Sequence, residues 1–379
     1  MAERTSYVDK WRFQKMKYDY LIVGAGLFGA TLAHLLHADG KKVLVIDRND
    51  FVGGMCHTYK DRGITVHEFG AHIFRTDKRE LWDFINEFCE FKPFVNSPLA
   101  RVGDKLYNLP FNMNTYQQLW GVTIPYEAKK KILEDIVPND NPKNLEEYAL
   151  SKVGKTIYNL FIKEYTEKQW GRPCTELPAS ILGRLPLRYT FDNNYYANKP
   201  YQGIPVFGYT EFIWKLMIGC DIKECTPYSE KWKNMADKVI YTGSIDEFYN
   251  YKYGELEYRS LKFEVEEFED TDDMTGNAVI NYTTKDYDFT RVIEHKHFLD
   301  EKSHGTILSF EFPTMYDGTN ERYYPIETER NLMLYKKYAD IETDVIFAGR
   351  LGQYRYTDME QTMLNAFRLA DRLKQCEYE

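Results

Sequence analysis

The sequence predicts an α/β protein in which a nucleotide-binding sheet is assembled from distant parts of the chain. Three observations predict it. A glycine-rich turn at residues 18–50 joins a short apolar strand to an amphipathic helix and a second strand. Two later apolar strands, DKVIYTG at 237–243 and DVIFAGR at 344–350, also end in glycine and suit a discontinuous domain. Between these pieces lie a helical block and a strand-rich block.

In chain order, Leu21, Ile22 and Val23 read as a buried parallel strand, and Leu27, Ala30, Thr31, Ala33, His34 and Leu35 as a helix ending near Gly40. The turn between them, Gly24-Ala25-Gly26-Leu27-Phe28-Gly29, is a G-x-G-x-x-G, and Asp47 closes the second strand about 20 residues on. In that context the first two glycines let backbone approach a pyrophosphate, the third packs helix on strand, and Asp47 can bond an adenosine ribose. Dinucleotide binding by a Rossmann-like domain is expected. From about 78 to 185 the pattern is helical, with proline starts at PYEAKKKILEDI and NPKNLEEYAL. Residues 186–204 and 249–334 favour strands, including YRSLKFEVEEFE, GNAVINYTT, TRVIEHKHF and GTILSFEFP.

Composition narrows the function. The 379 residues carry a net charge of −9, which argues against a nucleic-acid binder and requires any anion to be held by local arginines. The six cysteines show no Cys-x-x-Cys pair, the histidines show no zinc spacing, and no apolar run approaches a membrane span. A cytoplasmic protein without a metal is expected, with residues 1–17 a flexible extension.

Thirty-one tyrosines are the compositional outlier, and tyrosine suits sugars and phosphates because it joins an apolar ring to one hydroxyl. Tyr158, Phe161 and Tyr165 share a helix face at i, i+3 and i+7, followed by Trp170, Arg184, Arg188 and Tyr195. Aromatics able to stack a base beside arginines able to clamp phosphates fit a nucleotide-sugar site. Arg291, Tyr323, Tyr324, Arg350 and Tyr356 add the same residue types from distant segments. The stretch HEFGAHIFRT at 67–76, read as one strand, would put His67, Phe69, Ala71, Ile73 and Arg75 on one face and Glu68, His72 and Phe74 on the other.

Asp47, five residues and the pair Gly53-Gly54 resemble the extended fingerprint of FAD proteins of the glutathione-reductase and amine-oxidase type. More specifically, GAHIF, PFVN, YTEKQWG, ELPASILGRLP, DNNYY, YQGIP, TRVIEHKHF, YYPI and GRLGQYRYTDM occur in one order. From about 18 to 370 the chain resembles the bacterial-type UDP-galactopyranose mutases. That resemblance implies a discontinuous Rossmann-like FAD-binding domain (18–78 plus 205–248 plus 335–379) with a helical domain (79–185) and an antiparallel β-sheet layer (186–204 plus 249–334). It also implies a homodimer and a cellular reductant such as NAD(P)H or a reductase, since the flavin works in its reduced form. The implied reaction interconverts UDP-galactopyranose and UDP-galactofuranose through a covalent flavin N5-sugar iminium, in the service of cell-surface polysaccharide. The alternative is a net flavin oxidoreductase of amine-oxidase type.

Residue by residue, the resemblance implies that Arg184 and Arg291 hold the pyrophosphate. Tyr195, Tyr324 and Tyr356 stand on the phosphate side, Phe161, Tyr165 and Trp170 on the uridine side, Asn96 near the substrate, and Thr166 and Tyr323 among the other substrate contacts. For the cofactor it implies Gly24, Gly26, Gly29, Asp47, Gly53 and Gly54 at the adenosine and pyrophosphate end, with Leu27, Phe28 and Arg48 as further contacts. At the isoalloxazine end it implies His72, Arg350, Asp358 and Met359, with His72 responsive to redox state, and it adds Ile73, Gly349 and Tyr356 as cofactor contacts. Where many members read H-I-F-H-T, this chain has Arg75, a longer and permanently charged fork of donors. Its implied consequence is acceptance of UDP-N-acetylgalactosamine as well.

Overall fold

The computed structural model describes residues 18–182 and 187–376. The expectations for residues 1–17 and for Arg184 therefore fall outside the described residues.

Tyr18–Val23 (β1), Leu27–Ala38 (α1) and Val43–Ile46 (β2) form the expected β-α-β unit. All four side chains of β2 are buried, as in a parallel strand covered on both faces. Thr58–Asp61 (β3) and Ile64–His67 (β4) make a hairpin, Phe74–Thr76 (β5) leads into Arg79–Phe88 (α2), and Phe91–Pro93 (β6) follows. HEFGAHIFRT is thus not one strand. Strand structure stops at His67 and resumes at Phe74, because Gly70 has φ +96°, a backbone region open to glycine that turns the chain away from the pleat.

Leu99–Val102 (β7) and Lys105–Asn108 (β8) are a hairpin inside the stretch expected to be helical. The helices proper are Met113–Trp120 (α3), Pro125–Asp135 (α4), Leu145–Ile157 (α5) and Lys163–Trp170 (α6). A capping box between Asn112 and Thr115 opens α3, Pro125 opens α4, and the Asn144 side chain caps α5. Their core includes Tyr116, Ala128, Ile132, Leu145, Ala149, Val153, Ile157 and Phe161. Between α5 and α6, Tyr158–Ile162 is one π-helical turn, which rotates the faces of the two helices relative to a straight α-helix.

The remaining elements are Tyr201–Pro205 (β9), Gly208–Leu216 (α7), Asp221–Lys223 (β10), Ala236–Tyr241 (β11), Tyr258–Phe268 (β12), Val279–Tyr282 (β13), Arg291–Glu294 (β14), Thr306–Met315 (β15), Tyr324–Pro325 (β16), Glu329–Ala339 (α8), Val345–Phe347 (β17) and Met359–Gln375 (α9). TRVIEHKHF splits, with β14 ending at Glu294 and Lys296–Leu299 forming a helical turn.

Three larger sheets result. The order β10-β2-β1-β11-β17 is wholly parallel, and α1 packs against α9 and α7 over one face around Leu32, Leu36, Phe212, Ala366 and Leu369. The seven-stranded order β16-β12-β15-β14-β13-β7-β8 is antiparallel except where β13 runs parallel to β7. β9 joins neither; it pairs with β5 and β6. No helix among the described residues is long and apolar enough to cross a membrane.

Candidate active site

Two cavities meet where the parallel sheet, the large mixed sheet and the helices adjoin. The larger, about 750 Å³, runs from the glycine turn past His72 and Arg350 to Met359. The smaller, about 370 Å³, lies between α6, the β13–β14 hairpin and the segment carrying Asn96 and Tyr195. Ala71, Ile73, Tyr196 and Arg291 line both, so Arg291 stands at their junction.

Backbone geometry shapes the larger cavity. Gly24 has φ +110° and an added Cβ would lie 2.1 Å from Thr242 Oγ1, while a Cβ on Gly29 would lie 2.0 Å from the Gly24 carbonyl oxygen. Gly26 differs, for the nearest atoms to its Cβ position are 3.9 and 4.0 Å away, on Gly53 and Gly54. Gly53, at φ +112°, donates its N–H to the Ala25 carbonyl at 2.9 Å, bringing the second glycine pair onto the first turn. Gly26 caps α1 without a side-chain hydrogen bond, which leaves the first-turn N–H groups directed at a ligand. This open cradle fits the diphosphate of a dinucleotide. Asp47, buried at the end of β2, accepts from Ala25 N–H at 2.7 Å and Asn49 N–H at 2.9 Å. Burial raises its pKa, against the bonds that favour its charge. It braces the turn as well as facing the cavity, where Leu27, Phe28 and Arg48 also stand.

At the other end, His72 Nδ1 lies 2.7 Å from the Gly70 carbonyl. Only an Nδ1–H can satisfy that oxygen, so Nε2 carries the lone pair. Burial above all, and then the charges of Arg350, Arg291 and Arg75, depress its pKa to about 4, with the Gly70 bond opposing. His72 is therefore a neutral acceptor at pH 7. Arg350 donates to the Tyr323 carbonyl and lies 5.0 Å from the Tyr356 ring centroid. Gly349 has φ +72° beside Thr242 and Phe28, and Asp358 caps α9 through Gln361 N–H, next to Met359.

Side chains shape the smaller cavity. Phe161, Tyr165, Thr166 and Trp170 form one wall, with Gln169 beside them. The π turn excludes Tyr158 from this group; its hydroxyl bonds Glu146 at 2.5 Å within the helical core. Arg188 also leaves the set, because its guanidinium bonds the carbonyls of Asn194 and Tyr195. It braces the loop whose Tyr195 N–H meets the Asn96 carbonyl at 2.8 Å. Tyr323, Tyr324 and Tyr356 line the larger cavity rather than this one, and the rings of Tyr324 and Tyr356 pack at a 45° tilt with centroids 5.5 Å apart.

Arg291 is set by three partners: Glu311 Oε2 at 3.1 Å, Asn281 Oδ1 at 3.3 Å and Tyr165 Oη at 3.4 Å. Burial alone would disfavour its charge, and Glu311 together with Tyr165 and Tyr324 more than offsets this. Asn281 and Glu311 escape a reading of the sequence because they are cross-strand neighbours of Arg291 on β13 and β15. Thr242, Gly243 and Gln169 were within motifs already visible, without a role. Arg75 lies 4.0 Å over the Tyr196 ring and, among the described residues, hydrogen-bonds through Nη2 alone, at 3.4 Å from Asp358.

Asp273, Glu294 and His297, which line neither cavity, bring ligand atoms within 4.8 Å of one another. Glu294 is already saturated by Met274 N–H, Thr275 N–H and the hydroxyls of Thr275 and Thr306, a hydrogen-bonded structural carboxylate.

Comparison with known proteins agrees with this geometry. A family described as UDP-galactopyranose mutase matches residues 160–356, just over half the chain, and an NAD(P)-binding Rossmann-like domain matches residues 22–88. A probable UDP-galactopyranose mutase of Klebsiella pneumoniae is 40% identical over 367 residues, covering 93% of each chain. A dTDP-fucopyranose mutase of Escherichia coli is 38% identical, covering 92% of this chain and 97% of the other. The crystal structure of a reduced UDP-galactopyranose mutase superposes with a TM-score of 0.73 over 96% of this chain and 95% of the other, at 14% identity, which speaks to fold. The chain belongs to the UDP-galactopyranose mutase family.

Proposed function

We propose that this enzyme interconverts the six-membered and five-membered ring forms of UDP-galactose, with FAD in the larger cavity and the UDP-sugar in the smaller. The observation that carries this reading is Arg291 at the junction of the two cavities. A guanidinium there holds a sugar-nucleotide diphosphate beside the flavin ring and stabilises charge as UDP leaves. Reduced FAD supplies a nucleophilic N5 for the anomeric carbon. The protein's own part is positional. Tyr165, Trp170 and Phe161 clamp the base, Arg291 at the junction retains the departed diphosphate with Tyr324 and Tyr356 approaching it from the larger cavity, and His72 offers its unprotonated Nε2 to the reduced ring. Arg184 is assigned to the same diphosphate by resemblance.

The domain division at 78, 185, 204, 248 and 334, a homodimer, a cytoplasmic location and a reductant of NAD(P)H or reductase type belong to this proposal. So does the sugar. Arg75 has donors to spare beside Tyr196, which favours an acetamido carbonyl at the sugar as an additional ligand. The near-equal identity to relatives named for UDP-galactopyranose and dTDP-fucopyranose sets the panel for the test. Dithionite-reduced enzyme is incubated with UDP-galactopyranose, UDP-N-acetylgalactosamine and dTDP-fucopyranose, and furanose products are quantified. Furanose from the first is expected, with a slower yield from the second; no furanose from the N-acetylated sugar removes the Arg75 reading. Furanose from dTDP-fucose alone overturns the substrate assignment.

A further inference from the structure

Lys168 lies in the YTEKQWG motif, yet its side chain points away from both cavities. Its ammonium meets four backbone carbonyls, those of Tyr282, Thr284, Tyr287 and Phe289, at 2.9, 2.7, 3.0 and 2.9 Å. Three N–H donors are thus shared among four acceptors, and all four acceptors lie at the end of β13 or in the loop leading to β14. One turn earlier on α6, Tyr165 faces the smaller cavity and its hydroxyl meets Arg291, the first residue of β14.

Other bonds cross the same joint nearer solvent. Lys285 N–H reaches Glu164 and Lys285 Nζ reaches Glu167, each at 2.7 Å. Away from solvent, buried Arg259 of β12 holds the end of α6 through the carbonyls of Gln169 and Lys168, at 2.8 and 3.2 Å.

We infer that Lys168 is a positioning residue: its ammonium pins α6 to the β13–β14 loop and thereby sets the distance between the aromatic wall and Arg291. The inference rests on the proposed nucleotide-sugar function. An ammonium is suited to the task because one compact charge gathers carbonyls that would otherwise diverge around the loop. A nucleotide must touch both sides of the joint at once, so loosening it weakens nucleotide binding before it touches the flavin.

The test uses reduced holoenzyme and UDP as the binding probe. Lys168→Met should retain FAD content and visible spectrum, raise the UDP Kd and the KM about tenfold, and leave kcat within about threefold, the pattern of lost uniform binding. Lys168→Cys should show the same defect and recover after aminoethylation, which restores an ammonium, but not after a neutral S-ethyl cap. Hydrogen exchange across residues 283–290, which needs no substrate, should accelerate in Lys168→Met. Wild-type KM and UDP affinity in Lys168→Met, or equal rescue by the neutral cap, overturns the inference. If Lys168→Met does not yield holoenzyme, Lys285→Met loosens the joint from its surface side. A two- to threefold rise in KM is then expected, and an unchanged KM overturns the inference. Wild-type enzyme that neither binds UDP nor turns over overturns the proposed function itself, and the exchange measurement then decides whether Lys168 fastens the joint.

Discussion

The cofactor-side cavity takes its shape from backbone, where Gly24, Gly26 and Gly53 leave room and the first turn of α1 supplies donors. The substrate-side cavity takes its shape from side chains that reach distant backbone, as Lys168, Arg188 and Arg259 do. The glycine cradle of the first is written within residues 24–54, even though the cavity runs on to Met359. The second exists only once α6, the Tyr195 loop and the β13–β14 hairpin have come together. Damage to the first should therefore cost the cofactor and the fold together, whereas damage to the second should cost turnover while the protein stays yellow.

The largest effect is expected at Gly29. Its missing Cβ would lie 2.0 Å from the Gly24 carbonyl oxygen, a backbone atom that cannot swing aside, so Gly29→Ala should yield protein without bound flavin and with a lowered Tm. Flavin absorbance after purification checks this. Next is Arg291→Ala, which should lower kcat/KM at least about a hundredfold, roughly 3 kcal/mol, with flavin content unchanged. Near-normal turnover would remove Arg291 from the reaction and with it the contrast between the two cavities.

A subtler effect belongs to the histidines beneath the cofactor side. His295 is fully buried, accepts from His67 N–H at 3.2 Å and bonds Ser309 through Nε2 at 2.7 Å. Burial depresses it to about 3, and burial with its neighbours holds His67 well below the ordinary 6.5. Both stay neutral in the folded chain while the unfolded chain takes up protons below pH 6.5. Stability is thus fully present above 6.5 and falls as the pH is lowered toward the depressed values, by about 1.4 kcal/mol per pH unit for each imidazole. Denaturant titrations between pH 6.5 and 4.5 should show His295→Gln losing one imidazole's share of that slope. The smallest effect concerns selectivity. Arg75→His should lower activity on UDP-N-acetylgalactosamine relative to UDP-galactopyranose about tenfold, near 1.4 kcal/mol, with little change for the latter.

The same contrast explains what the sequence made legible. Gly24 through Gly29, Asp47 and the pair Gly53-Gly54 act through local backbone geometry, so their spacing alone identifies them. The parallel sheet was legible too, because DKVIYTG and DVIFAGR carry the same apolar strand and closing glycine as β1. The β7–β8 hairpin was hidden inside a helical block, since short strands at a sheet edge owe their pairing to tertiary contacts rather than to propensity. Tyr158 misled because a helical face was extrapolated through a π turn. Asn281 and Glu311 became visible only with strand register, which places them beside Arg291. Arg75 was conspicuous as a departure from the family pattern, but its stacking on Tyr196 depends on a loop over a hundred residues away.

In the proposed reaction, a flavin cavity and a nucleotide-sugar cavity joined at Arg291 perform a ring isomerisation with no net redox change. The most direct test counts furanose formed from UDP-galactopyranose against reducing equivalents supplied once to the enzyme. Many furanose molecules per reduced flavin, with none before reduction, are predicted; one sugar oxidised per oxidised flavin before reduction, with no furanose after it, would overturn this.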